Sequence, residues 1–287
     1  MYWSNYHSHS IFCDGRSPME DFVKFAIAKG FKKFGFSSHA PLPFDTFWNM
    51  KRQDEADYLQ EFDRLKSKYR MQIELFIGLE VDYIDGITNF DNALFSAEKF
   101  DYLIGSVHFM DRLSEDKLWC VDGNFNDFEQ GLQQLFDGDI HAAIERYFQL
   151  YSEMIHKHKG EFQLLGHIDK IALNAIHCNE FNKNDKWYTN LVGEVMTKIK
   201  AAGLILEINT KSVQSEGITY PDEQFFGLIK ALNIPITVNS DCHYPYLVAD
   251  GFQSTYQKLY HEGFRFLHQI INNQWEPVEF NKNGLLE

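Results

Sequence analysis

The sequence predicts an α/β barrel, a parallel sheet wound with helices. Seven short strand-like runs alternate with helical patterns along the chain, and six of them end in, or lead directly into, a histidine or a carboxylate. In parallel barrels the C-terminal strand ends meet at one mouth, so residues distant in sequence become neighbours there. With 287 residues, 44% of them hydrophobic, the chain can bury a barrel core, and a single domain over residues 1–287 is expected.

The first strand is expected at 3–8 and carries His7-Ser8-His9, whose i, i+2 spacing turns both imidazoles to one face. A helix follows, with Ser17 as cap, Pro18 in the first turn, Glu20 at capping-box spacing and Gly30 as the stop. Strands near 34–39, 73–81, 102–108 and 163–167 run into His39, Glu80, His108 and His167, with helical patterns near 53–70 and 139–159 between them. A helix near 186–202 leads to the exception, a strand at 204–209 ending in Glu207-Ile208-Asn209-Thr210. A helix near 222–232 precedes the last strand, 235–240, which opens into Asp241-Cys242-His243; a final helix is expected at 251–262. The longest connections, Ala40 to Lys51 and Phe109 to Gln130, follow the second and fourth strands and should overhang the mouth.

Composition narrows the function. A net charge of −14 argues against general affinity for nucleic acid, which shows as a basic patch or stripe. No apolar stretch approaches the roughly 20 residues of a membrane span, and the first residues lack the order of a secretory signal, so a soluble cytoplasmic protein is expected. Cys13, Cys120, Cys178 and Cys242 are scattered, without metal-site or disulfide spacing, and read as reduced thiols.

The motifs His7-Ser8-His9 with Asp14, Ser38-His39, Gly78-Leu79-Glu80-Val81-Asp82, Ser106-Val107-His108, Gly166-His167-Ile168-Asp169 and Ser240-Asp241-Cys242-His243 resemble, in order and placement, those of the PHP superfamily of metal-dependent phosphoesterases. The resemblance covers nearly the whole chain. It implies a distorted seven-stranded, TIM-barrel-like (β/α) barrel with up to three divalent ions, zinc, manganese or iron. By the family pattern, His7, His9, Glu80 and Asp241 would hold the first ion. Glu80 would bridge to a second, with His108 and His167, while Asp14, His39 and His243 would hold the third. Imidazole and carboxylate donors suit these metals better than those that prefer thiolates. Ions held by three carboxylates would leave the pocket positive, so an acidic protein can still take an anionic substrate.

Such ions acidify a bound water and neutralise phosphoryl charge, so phosphate ester hydrolysis is the expected reaction. Glu80, Asp241 and His243 are the expected catalytic groups, with Asp241 or His243 handling the proton that reaches the leaving alcohol. Within the superfamily the chain is most similar to the histidinol-phosphate phosphatases of histidine biosynthesis, through Phe12-Cys13-Asp14-Gly15, Glu207-Ile208-Asn209-Thr210 and Asn239-Ser240-Asp241-Cys242-His243. The substrate implied is thus a small phosphate ester. The alternatives are another ester on the same barrel, such as a nucleotide or an oligonucleotide end, and a metal-holding protein without turnover. Arg16, Lys170 and Lys211 are candidate phosphate contacts; Lys170 and Lys211 stand where some relatives use arginine, and lysine lacks that planar fork. Loops bearing Phe44, Phe47 and Trp48, and Phe109, Asp111 and Asp122, have the character to receive an imidazole and an ammonium group.

Other residues are set aside. His156 and His158 diverge on a helix, and His141 with Glu145 marks a helix surface. Cys13 and Cys242 adjoin proposed ligands, but alternation in extended chain turns them away as small buried thiols. Asp82 and Asp169 lie two residues past proposed ligands; Asp169 could orient a ligating histidine, and either could equally bind a loop backbone.

Overall fold

The computed structural model describes residues 1–88, 90, 94–115 and 117–286. Strands form at Trp3–Asn5 (β1), Phe31–His39 (β2), Glu74–Asp82 (β3), Tyr102–Ser106 (β4), Phe109–Ser114 (β5), Lys117–Cys120 (β6), Leu164–Leu165 (β7), Ile205–Asn209 (β8) and Ile236–Asn239 (β9). Three more, Phe266–Ile271 (β10), Gln274–Asn281 (β11) and Gly284–Leu285 (β12), close the chain. Seven strands make one sheet in the order β1-β2-β3-β4-β7-β8-β9, each paired parallel to its neighbour. This is the nearly closed α/β barrel that the alternation predicted.

Alternation along β3 shows how the sequence sorts itself. Leu75, Ile77 and Leu79 join the large core between strands and helices, with Phe22, Tyr58, Phe62 and Leu65 among their partners. Phe76 faces the barrel interior, where it clusters with Tyr6, Tyr102, Ile104, Leu164, Ile205 and Ile270. Glu80 falls on that same inward face, four residues on. Tyr102 fills the lower interior and donates from its hydroxyl to the Tyr6 and Phe36 carbonyls at 2.6 and 3.1 Å. Gly35 and Gly78 make room for it, since a Cβ at either would lie 2.4 or 2.6 Å from the Tyr102 side chain.

The barrel's seam lies between β1 and β9. Side chains replace strand hydrogen bonds there: Tyr6 N–H donates to Asn239 Oδ1 at 2.7 Å and Ser240 N–H to Asn5 Oδ1 at 2.9 Å. Ser8 then bridges to Cys242, so the His7-Ser8-His9 segment runs beside Asp241-Cys242-His243 although β1 itself stops at Asn5. At the opposite end β10, β11 and β12 form a separate antiparallel sheet. It plugs the barrel through Trp275, whose ring meets Tyr6 at 4.8 Å.

Several expectations need correction. Ser17 does not cap the first helix, Met19–Ala28; Pro18 occupies the cap position with no side-chain hydrogen bond. Glu20 instead accepts from Lys68, Tyr69 and Arg64, because packing against the helix Glu55–Tyr69 offers stronger donors than the helix end. The connection after β4 contains elements not expected from the sequence: β5 and β6 form a hairpin, followed by a helix at Phe125–Phe136, with Asp116 outside the described residues. Among the described residues no helix is long and apolar enough to cross a membrane.

Candidate metal centre

Register brings the cluster together. His39 and Glu80 are direct neighbours across β2 and β3, and Asp82 neighbours Ser106 across β3 and β4, two residues before His108. The seam adds His7, His9, Asp241 and His243. Asp241 sits at φ 48, a left-handed conformation that few residue types besides glycine, asparagine and aspartate adopt readily, and its carbonyl accepts from His243 Nδ1 at 3.0 Å.

All nine residues expected to ligate metal meet in this one place. His7 Nε2 lies 3.1 Å and His9 Nε2 3.5 Å from Glu80 Oε2, and His9 Nε2 is 3.1 Å from Asp241 Oδ1. Glu80 Oε1, His108 Nε2 and His167 Nε2 form a triangle with sides of 2.9, 3.2 and 3.6 Å. His9, Asp14, His39 and His243 form a third set, with donor atoms within 4.8 Å of one another. His9 and His39 each belong to two sets; His39 Nδ1 is 3.1 Å from Glu80 Oε2 while its Nε2 is 3.8 Å from Asp14 Oδ1.

The donor set fits divalent ions. His7 Nε2, His9 Nε2, Asp14 Oδ1 and His39 Nδ1 are buried without a hydrogen-bond partner, a costly arrangement unless a cation takes their lone pairs. Donors about 2.1 Å from a tetrahedral zinc stand roughly 3.4 Å apart, the spacing found here. Burial pulls His9 and His39 down to about 4, so both are neutral at pH 7, as ligation requires. Burial would also lower His7, but Glu207, Glu80 and Asp241 outweigh it and raise its pKa. Burial disfavours the charged Glu80 and Asp241, yet both stay well below the carboxylate range, Glu80 beside His7 and His39, Asp241 beside Lys211 and His7.

Hydrogen bonds from behind set the tautomers. An ionised carboxylate only accepts, so Glu207 Oε1 at 2.7 Å from His7 Nδ1 places the hydrogen there and aims Nε2 at the cluster. Asp82 Oδ1 does the same for His108 Nδ1 at 2.6 Å. Asp169 takes the other option: its Oδ2 accepts the Asp222 backbone N–H at 2.8 Å. Glu207 is the functional residue that the strand-end pattern passes over. It is fully buried and also accepts from the His167 backbone N–H, Asn209 and Asn239.

A cavity of about 200 Å³ opens over the cluster, lined by Asp14, His39, Phe47, Trp48, Asp122, Lys211, Asp241 and His243 among others. Lys211 Nζ lies 3.1 Å from Asp241 Oδ1, at its edge. Lys170 is buried, 3.7 Å from Asp241 Oδ2 and over the Tyr220 ring. Arg16 is not brought in: its side chain is exposed and outside the cavity lining, and its backbone N–H donates to the His243 carbonyl at 2.7 Å. Cys13 also departs from expectation. Residues 11–14 form a turn rather than a strand, so its Sγ comes 3.5 Å from His9 Nδ1; burial pushes the thiol up to about 11 and keeps it protonated. Cys242 is buried as expected, and His141 and His158 contact Glu180 and Glu161 outside the cluster.

Residues 5–211 match the family model of the PHP domain. The chain belongs to the PHP family. Among its relatives, the histidinol-phosphatase of Bacillus subtilis is 28% identical over 254 residues, covering 83% of this chain and 92% of the relative. That of Lactococcus lactis is 24% identical over 72% of this chain and 71% of the relative. The crystal structure of a Lactococcus lactis histidinol phosphate phosphatase complexed with zinc, L-histidinol and phosphate superposes with a TM-score of 0.65 at 18% identity, covering 96% of this chain and 98% of the other. A Listeria monocytogenes protein that carries the histidinol phosphatase name superposes with a TM-score of 0.77 at 23% identity, covering 88% and 99%. The barrel fold therefore has counterparts in solved proteins that this chain covers over nearly their whole length.

Proposed function

We propose that this PHP protein is a metal-dependent phosphoric monoester hydrolase that converts L-histidinol phosphate into L-histidinol and phosphate. One observation carries the chemistry: nine imidazole and carboxylate side chains converge, with four of their donor atoms buried and unpartnered. The histidinol-phosphatase names of relatives matched over most of both chains support the substrate.

His7, His9, Asp14, His39, Glu80, His108, His167, Asp241 and His243 would hold two or three divalent ions, which supply an acidified water and offset charge on the phosphoryl oxygens. The protein's own groups do the rest. Lys211 and Lys170 place positive charge on either side of Asp241, where phosphate oxygens need it. Water adds its oxygen to phosphorus, the bond from phosphorus to the ester oxygen breaks, and one water proton ends on the departing alcohol. Asp241 and His243 line the cavity and stand ready to pass that proton.

The test is phosphate release by the purified chain after reconstitution with zinc, manganese or iron, comparing L-histidinol phosphate with nucleotides and short single strands. L-Histidinol phosphate should give the highest kcat/KM, and His9→Ala or Asp241→Ala should abolish turnover while the protein stays folded. Preference for nucleotides or strands would replace this substrate, and full activity in either variant would reject the mechanism.

A further inference from the structure

Phe47 is 86% exposed, yet it lines the cavity above the metal-donor cluster. A single exposed phenylalanine on a convex surface needs no explanation, but one at the rim of a polar site is placed where a ligand would cover it. Its ring is held from behind. It meets Trp48 edge to face at 4.7 Å, Trp48 stacks on Phe109 at 5.2 Å and 20°, and Phe109 is buried next to His108.

The loop is fixed at both ends. Met50 N–H donates to the His39 carbonyl at 3.0 Å, Asn49 Nδ2 to the Ala40 carbonyl at 2.8 Å, and Thr46 Oγ1 to Asn49 Oδ1 at 2.6 Å. The aromatic stack is thereby anchored to neighbours of His39 and His108, so its height above the cluster is set by the barrel. An ester whose phosphate lies at the cluster must send its alcohol portion outward through the cavity, past Phe47 and Trp48.

We infer that Phe47, seated on Trp48, is a specificity-determining clamp for a flat ring carried by the alcohol portion of the ester. This rests on the function proposed above and narrows it, assigning the imidazole to the loop between Ala40 and Lys51. An aromatic face recognises a flat ring and gains little from a bare alkyl chain.

Steady-state kinetics of the metal-reconstituted wild type, Phe47→Ala and Phe47→Tyr on L-histidinol phosphate and on phosphoethanolamine, an amino-alcohol phosphate without a ring, test it. In Phe47→Ala the ratio of kcat/KM for the two esters should fall roughly tenfold in the direction of the ringless substrate, through KM and not kcat, as loss of one aromatic contact requires. Phe47→Tyr should restore the ratio. An unchanged ratio, or a loss carried by kcat on both esters, overturns the clamp. Should the wild type not act on L-histidinol phosphate, the proposed substrate falls instead, and phenyl phosphate against phosphoethanolamine then reads the clamp by the same ratio.

Discussion

Replacing Glu207 with glutamine should uncouple His7 from the cluster without changing the size of the side chain. Glu207 Oε1 accepts from His7 Nδ1 and Asn239 Nδ2 at 2.7 and 3.0 Å, while Oε2 accepts from the His167 N–H and Asn209 Nδ2 at 3.1 and 3.0 Å. Whichever way the glutamine amide turns, its NH₂ faces two donors: the His167 N–H and the Asn209 and Asn239 amides cannot become acceptors, and His7 can do so only by moving its ring hydrogen. At about 1–2 kcal/mol for each buried donor left unpaired, the variant should lose roughly 1–4 kcal/mol of stability, the smaller loss where His7 shifts its ring hydrogen. If the amide nitrogen faces His7, the imidazole must move its hydrogen to Nε2, which removes the lone pair aimed at Glu80 and Asp241. Metal affinity should then fall about 10–100-fold. Chelator competition measures the affinity and urea unfolding the stability. Wild-type values in both would refute the assignment of Glu207 as the group that orients His7.

Two further outcomes follow from the same structure. Lys170→Met leaves Asp241 and the nearby Asp122 without their buried cation and should cost about 3–5 kcal/mol in chemical denaturation; a loss below about 1 kcal/mol would show that the ammonium is dispensable. Glu20 is held at about 2 by hydrogen bonds from Lys68, Tyr69 and Arg64. A carboxylate depressed in the folded state adds stability above its unfolded pKa and loses it as pH falls toward the folded one. By linkage that would be roughly 3 kcal/mol, reduced to about 1 kcal/mol because Lys68 and Arg64 are half exposed and screened. The stability gap between wild type and Glu20→Gln should therefore be constant above pH 5 and shrink between about pH 4.5 and 2; a gap that widens on acidification would contradict this.

Much of the barrel was legible because period-two alternation and helix punctuation are local. The strand 34–39 lies inside β2 and the strand 73–81 matches β3 to within one residue at each end, and the helix patterns at 139–159, 186–202 and 251–262 correspond to Ile140–Lys157, Lys186–Ala202 and Phe252–Glu262. The β5–β6 hairpin and the closing β10–β12 sheet were missed. Hairpin residues such as Asp111, Arg112 and Lys117 break any clean apolar alternation, and β11 is largely exposed, so neither carries the signal of a buried strand.

By itself the sequence determined that single histidines and carboxylates sit at the ends of successive parallel strands, and parallel winding gathers such ends at one mouth. Only the tertiary structure decided which groups stand behind them. Glu207 reaches His7 across 200 residues of chain, Asp82 and not Asp169 orients a histidine, Lys170 is buried while Arg16 faces solvent, and Cys13 turns inward. The physical reason is one of range. Alternation is a property of neighbouring peptides, whereas a hydrogen bond between side chains depends on register, seam closure and turn geometry that form only when the whole barrel does.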